Sequence, residues 1–287
     1  MEDKQIGLMF RQLQFYAAMV YFVPETEQEL TSAGLEPGLM CYLAGRTAPM
    51  GAASASVVRA VTYNFNPRVV AVHIPRAWAL AAPEKLTAAT LVGVDRALHR
   101  ALGAEALTAP EVAEAADLVR RAAEAAAVEG RPLAAAHQEL EWPAAPHLVL
   151  WHGVNTLREH RGDGHIALLV DAGLSGLQAM VSNAATKRGF LPSFAQAHRG
   201  WSAHQWAGAE AELCDRGILD HEGEFTDAGA ALRSDLEDNT DRLAAAPWRV
   251  IGDDGVRRVG EIGGRLVRGL TAAGCFPTEG VFYPPKS

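Results

Sequence analysis

The chain has 287 residues, 49% apolar and 21% charged, a composition that supports a buried core and excludes a disordered polyelectrolyte. Its formal net charge of −8 opposes nonspecific attraction to phosphate backbones and to anionic membranes. Three widely spaced cysteines, Cys41, Cys214 and Cys275, form neither a CxxC pair nor a disulfide framework and fit a reducing compartment.

In chain order, the first stretch carries acids as well as bases, and Arg11, Gln12 and Gln14 interrupt its apolar run, unlike a signal peptide. No apolar run approaches the roughly 20 residues that span a bilayer, so a cytoplasmic protein is expected. Residues 8–20 have helical apolar spacing that stops near Pro24. A helix over 39–46 is punctuated by Pro49 and Gly51, and helix restarts before Pro67. Further helices are predicted over 67–72, 75–80, 83–102 and 109–129. The segment around Gly130, Pro132, Pro143 and Pro146 reads as a connection, with a short helix over 133–140, and divides the chain into halves 1–145 and 146–287. In the second half a helix over 147–160 is expected to end at the turn "RGDGH", with helices over 166–172 and 176–187 beyond it.

The halves show a common pattern. "LAGRTAPMGAASASVVRA" and "LREHRGDGHIALLVDAGL" both read as an Arg-bearing helix end, a Gly turn and a new amphipathic helix, as a diverged duplication would. Alanine-rich helices also resemble one another by composition alone. Further on, Ser202 is placed to cap a helix ending near Gly217, "ILDHEGEFT" reads as a short hairpin, and Thr226 is placed to cap a long amphipathic helix. This segment, 201–248, resembles the winged helix of the MarR regulators. More widely, "YFVPE", "LAGRTAPMG", "YNFNP", "REHRGDGH", "RGILD" and "TDRLAAAPW" together resemble an actinobacterial family of helix-turn-helix-like proteins. The resemblance implies an all-α fold with a small β-hairpin wing, built from tandem winged-helix-like halves. It implies no particular reaction or operator.

DNA binding by this module is disfavoured by charge. From Trp201 to Val250 there are 11 acids and 4 bases, and the would-be recognition helix carries Glu210, Glu212 and Asp215 with Arg216 as its one cation.

The chemistry is expected around "WHGVNTLREHRGDGH". His152, Asn155 and Glu159 share a helical stripe, His160 and His165 flank the expected turn, and Arg158 or Arg161 adds fixed positive charge suited to a carboxylate or phosphate. In the first half, Arg46 precedes the matching turn, and Tyr63 and Asn64 combine an aromatic body with an amide. The expected ligand wall is therefore Arg46, Tyr63, Asn64, His152, Asn155, Arg158, Arg161 and Asp163. Were the protein an enzyme, His160 or His165 would serve as general acid or base. The structural alternative pairs Arg161 with Asp163 and uses His160 and His165 as helix caps. No ligand pattern such as HExxH is present, so no metal residues are assigned, and haem or metal binding ranks third. The leading expectation is a protein that binds a small organic molecule between its halves, with catalysis there as an option, in specialised metabolism. Its rival is a dimeric, ligand-responsive DNA-binding regulator of MarR type.

Overall fold

Proline and short polar caps set the helix starts. The computed structural model describes residues 1–283; residues 284–287, the end of the second half as divided above, lie outside the described residues. In chain order come α1 (Asp3–Ala18), α2 (Pro24–Ser32), α3 (Leu39–Thr47), α4 (Ala55–Thr62), α5 (Pro67–His73), α6 (Arg76–Leu80), α7 (Pro83–Leu107) and α8 (Pro110–Glu124). They are followed by α9 (Pro132–Gln138), α10 (Pro146–Asp171), α11 (Gly176–Ala185), α12 (Pro192–Arg199), α13 (Ala203–Asp215), α14 (Asp227–Arg249) and α15 (Gly252–Ala272). Proline opens seven of these helices, where its missing N–H costs nothing and its fixed φ already suits the helix. Ser54, Ser175, Ser202 and Thr226 each accept a backbone N–H of the first turn and so cap α4, α11, α13 and α14.

The fold is all-helical among the described residues, and two expectations need correction. "RGDG" is not a turn, because α10 runs unbroken from Pro146 to Asp171. Glycine inside a helix costs up to about 1 kcal/mol relative to alanine, so packing must offset it. A Cβ on Gly164 would lie 2.5 Å from Arg131 Nη1, and that guanidinium donates to the His160 carbonyl. Asp163 is consumed in the same contact: its carboxylate accepts from Leu133 N and Ala134 N, both at 3.0 Å, and caps α9 from outside the helix. Gly164 and the aspartate therefore serve a close helix crossing.

The second correction concerns the wing. Between α13 and α14 the chain makes one antiparallel bridge, Leu219 with Phe225, and no paired strands form among the described residues. The hairpin is reduced to this bridge, with Asp220 N donating to Glu224 O at 2.9 Å and Thr226 N to Ile218 O at 3.2 Å, while Asp220 Oδ1 accepts from Glu222 N and Glu224 N, both at 2.9 Å, and tightens the turn.

Three apolar clusters organise the helices. The largest draws residues from α1, α7, α8, α10, α14 and α15, with Trp248, Tyr16 and Phe10 fully buried. A second lies within residues 30–86 and a third within 169–236. The second and third clusters are joined through the loop between α4 and α5. Tyr63 OH donates to Leu174 O at 2.5 Å, Trp201 Nε1 donates to Asn64 O at 2.8 Å, and Asn66 N donates to Arg199 O at 2.9 Å. Among the described residues no single helix is long and apolar enough to cross a membrane.

Candidate functional site

A cavity of about 650 Å³ lies between the first and second clusters, with α12 at its side, and is partly open to solvent. Helical spacing explains its walls. From α3 come Leu39, Tyr42 and Arg46, at offsets of three and four; from α10 come Trp151 and Asn155, four apart; from α2 come Thr26 and Leu30, also four apart. Val20 to Val23, the link between α1 and α2, closes one side, and His137 of α9 and Ala197 and His198 of α12 complete it.

Behind this wall sits a buried ion cluster. Arg46 donates through Nε and Nη2 to both oxygens of Glu159, at 3.1 and 2.6 Å, in a bidentate pair. Arg158 Nη1 reaches Glu159 Oε1 at 2.6 Å and Tyr21 OH at 3.3 Å, with its guanidinium 5.1 Å from the centre of the Tyr21 ring. Burial alone would raise the Glu159 carboxyl, but Arg46 and Arg158 outweigh it and hold it at about 2. Burial pushes the Tyr21 phenol up to about 12.

Three polar atoms in the wall are buried without a hydrogen-bond partner: Thr26 Oγ1, His137 Nε2 and Asn155 Oδ1. Asn155 Nδ2 lies 3.3 Å from His137 Nδ1, a contact in which the amide donates and the ring nitrogen accepts. The ring proton then resides on Nε2, which leaves one donor and one amide acceptor side by side in the wall. Burial holds His137 down at about 4, although nearby Glu159 and the Arg46 carbonyl favour its protonation. It is neutral at pH 7.

Of the expected wall, Arg46 and Asn155 line the cavity, and Arg158 stands directly behind it. The other residues lie elsewhere. Tyr63 and Asn64 join the second and third clusters. His152 packs edge-on against Trp142, with ring centres 4.6 Å apart, and burial depresses it to about 3. His160 and His165 are each held at about 4, chiefly by burial; His165 Nδ1 pairs with Thr240 Oγ1 at 2.9 Å. Arg161 Nη1 lies 2.7 Å from Asp241 Oδ1 in an ion pair whose angle falls outside hydrogen-bond geometry. Asp163, pushed up to about 6 mainly by burial, caps α9. Sequence inspection missed Tyr21, Tyr42, His137 and Arg199. The i, i+4 spacing of Tyr42 and Arg46 was an available signal; His137, in an assigned connection, had none.

Two further arrangements stand apart from the cavity. Asp95 and His99 of α7 and His147 of α10 bring one ligand-type atom each within 4.8 Å of one another, and the contact already made is a 2.6 Å hydrogen bond between His147 Nε2 and Asp95 Oδ1. Helices α12 and α13 are joined by a three-residue turn, with Gly200 left-handed at φ 71°, as in helix-turn-helix motifs. Its exposed second helix presents His204, Gln205, Glu212 and Asp215. Arg216 is spent on the Ala172 and Gly173 carbonyls, at 3.0 and 2.9 Å, and Lys187 pairs with Glu224 at 2.5 Å.

Comparison with known proteins finds a family model, described as a helix-turn-helix family, that matches residues 7–277. No curated protein and no solved structure matches the chain significantly.

Proposed function

The chain belongs to the helix-turn-helix family, and within it we propose that it acts as a small-molecule-binding protein whose ligand occupies the cavity between α2, α3, α10 and α12. The observation that carries this is the trio of buried, unpartnered polar atoms on Thr26, His137 and Asn155 in an otherwise largely apolar wall. A buried polar group without a partner costs about 1–3 kcal/mol, which a ligand supplying the missing bonds would recover. We assign the protein to the cytoplasm, which its three unpaired cysteines fit, and to a specialised metabolic pathway. Halves 1–145 and 146–287 are proposed as diverged copies, since each holds a serine-capped helix followed by a proline-started short one, α4 then α5 and α11 then α12.

The test is native mass spectrometry with a visible spectrum on protein purified from its own host, beside the Asn155→Leu variant. A retained organic mass that the variant loses supports the cavity as a ligand site. A bare chain in both, with no small molecule captured from host extract, refutes it; a Soret band would point to haem instead.

A second reading, a MarR-type ligand-responsive DNA-binding regulator, is favoured by the α12–turn–α13 geometry and by family membership. Against it stands the acidic exposed face of α13, which would meet phosphates with like charge. Fluorescence anisotropy on fragmented host DNA at low and moderate salt decides: saturable binding that a His204→Glu change at that exposed position weakens supports the regulator, and no binding at low salt removes it.

A further inference from the structure

Resting on the cavity as a ligand site, we propose that its occupant carries an oxyanion, a carboxylate or phosphate group, held beside Tyr42 by the buried guanidinium surplus of Arg46, Arg158 and Arg199. Arg46 lines the cavity, Arg158 and Arg199 stand against the lining rings of Tyr21 and Tyr42, and Glu159 is the one carboxylate that pairs with any of the three among the described residues. Arg46 and Arg158 share it. Arg199 is 9% exposed and makes no ion pair among the described residues. Its guanidinium instead rests on aromatic faces, 4.2 Å from the ring centre of Phe65 and 5.3 Å from that of Tyr42. Cation–π contact returns only part of the hydration that a buried ion loses, so a compensating anion is the missing partner. Glu27 also lines the cavity, but it is exposed and its Oε1 accepts from Gly38 N at 2.5 Å.

Tyr42 reports the resulting field. Its hydroxyl makes no hydrogen bond among the described residues although the residue lines the cavity. Burial would raise its phenol, yet Arg199, Arg46 and Arg158 together bring it below the ordinary range. Planar guanidinium groups match the geometry of carboxylates and phosphates. The remaining wall, with Val20, Phe22, Leu30, Leu39 and Trp151, suits an apolar body attached to that group. The ligand class is thus a small organic acid or phosphate ester with an apolar portion.

The experiment is thermal denaturation of the full chain titrated with sodium phosphate and, separately, sodium benzoate, against sodium chloride at matched ionic strength. In the wild type an oxyanion is expected to raise the melting temperature saturably while chloride does not. Arg199→Met is expected to need at least about tenfold more oxyanion for the same shift. Tyr42→Phe, which keeps the ring and removes one hydroxyl, is the second variant should the first not fold, and it too is expected to weaken the response. Benzoate saturating below phosphate identifies a carboxylate with an apolar body, and the reverse identifies a phosphate ester. A wild type indifferent to both oxyanions, or variants that respond as the wild type does, overturns the proposal. Neutral benzamide protecting as well as benzoate overturns the oxyanion while leaving the cavity as a ligand site. Failure of all three probes, together with a bare native mass spectrum, overturns both.

Discussion

One helix carries two charged clusters built on different plans. On α10, Glu159 turns toward α3 and the cavity, while Arg161, two residues and about 200° further round, turns toward α1 and α14. The second cluster is the more closed in charge, with three guanidiniums on two carboxylates, although Arg161 Nη1 makes its ion pair there without a hydrogen bond. Asp241 accepts from Arg11 at 2.7 and 2.9 Å and pairs with Arg161 at 2.7 Å, and Glu237 adds a second carboxylate that also meets Arg233. Charges there nearly balance, and the arginine Arg11 keeps a third of its side chain in water. The cavity cluster holds three deeply placed guanidiniums against one paired carboxylate, together with unpartnered polar atoms. A network that only holds helices together closes on itself; one that waits for a partner leaves valences open.

Acid separates the protein from its native state through groups on both sides, and this is the largest expected effect. His137, His152, His160 and His165 have folded values of about 3 to 4, below their ordinary 6.5, so the neutral ring belongs to the fold. Their contribution is fully present above about pH 6.5 and is lost as pH falls toward 4, because the unfolded chain binds the extra protons. Asp163, raised to about 6, works the other way, since its folded form takes up a proton first. Net uptake of about three protons gives a stability slope on the order of 4 kcal/mol per pH unit at its steepest. Urea unfolding from pH 7 to pH 4.5 measures it; a flat profile would mean that these rings are solvated.

Removing the central carboxylate from each cluster tests their difference directly. Glu159→Gln is expected to cost about 3–5 kcal/mol, because Arg46 and Arg158 are buried and no other carboxylate pairs with them among the described residues. Asp241→Asn is expected to cost less, about 1–3 kcal/mol, since Arg11 reaches solvent and Arg161 keeps Glu237 at 3.5 Å. Equal losses in chemical denaturation would erase the contrast between open and closed.

The smallest effect concerns neutral polar groups. Thr240→Val removes the partner of His165 in the closed region and should cost about 1–3 kcal/mol. Asn155→Leu removes an acceptor that is already unsatisfied, which offsets part of the cost of the donor it takes from His137 Nδ1, so in ligand-free protein its cost should fall near the lower end of that range, about 1 kcal/mol. Parallel melting curves of the two variants check this, and a larger loss at Asn155 would make its contact with His137 structural.

What the sequence by itself determined is local. Proline and serine positions marked most helix starts, Thr226 and Ser202 capped the helices expected of them, and the acidity around α13 is plain in the residues themselves. The stripe of Asn155 and Glu159 also followed from helical spacing. Tertiary structure alone decided that "RGDG" continues a helix, because the gain comes from Arg131 and from the first amides of α9, some 30 residues away in sequence. It also decided which polar residues meet. Arg46 finds Glu159 across 113 residues, and Asn66 fixes Arg199 across more than that. Such pairings depend on how packed helices cross, a property of the assembled core on which the periodicity of any one helix carries no information.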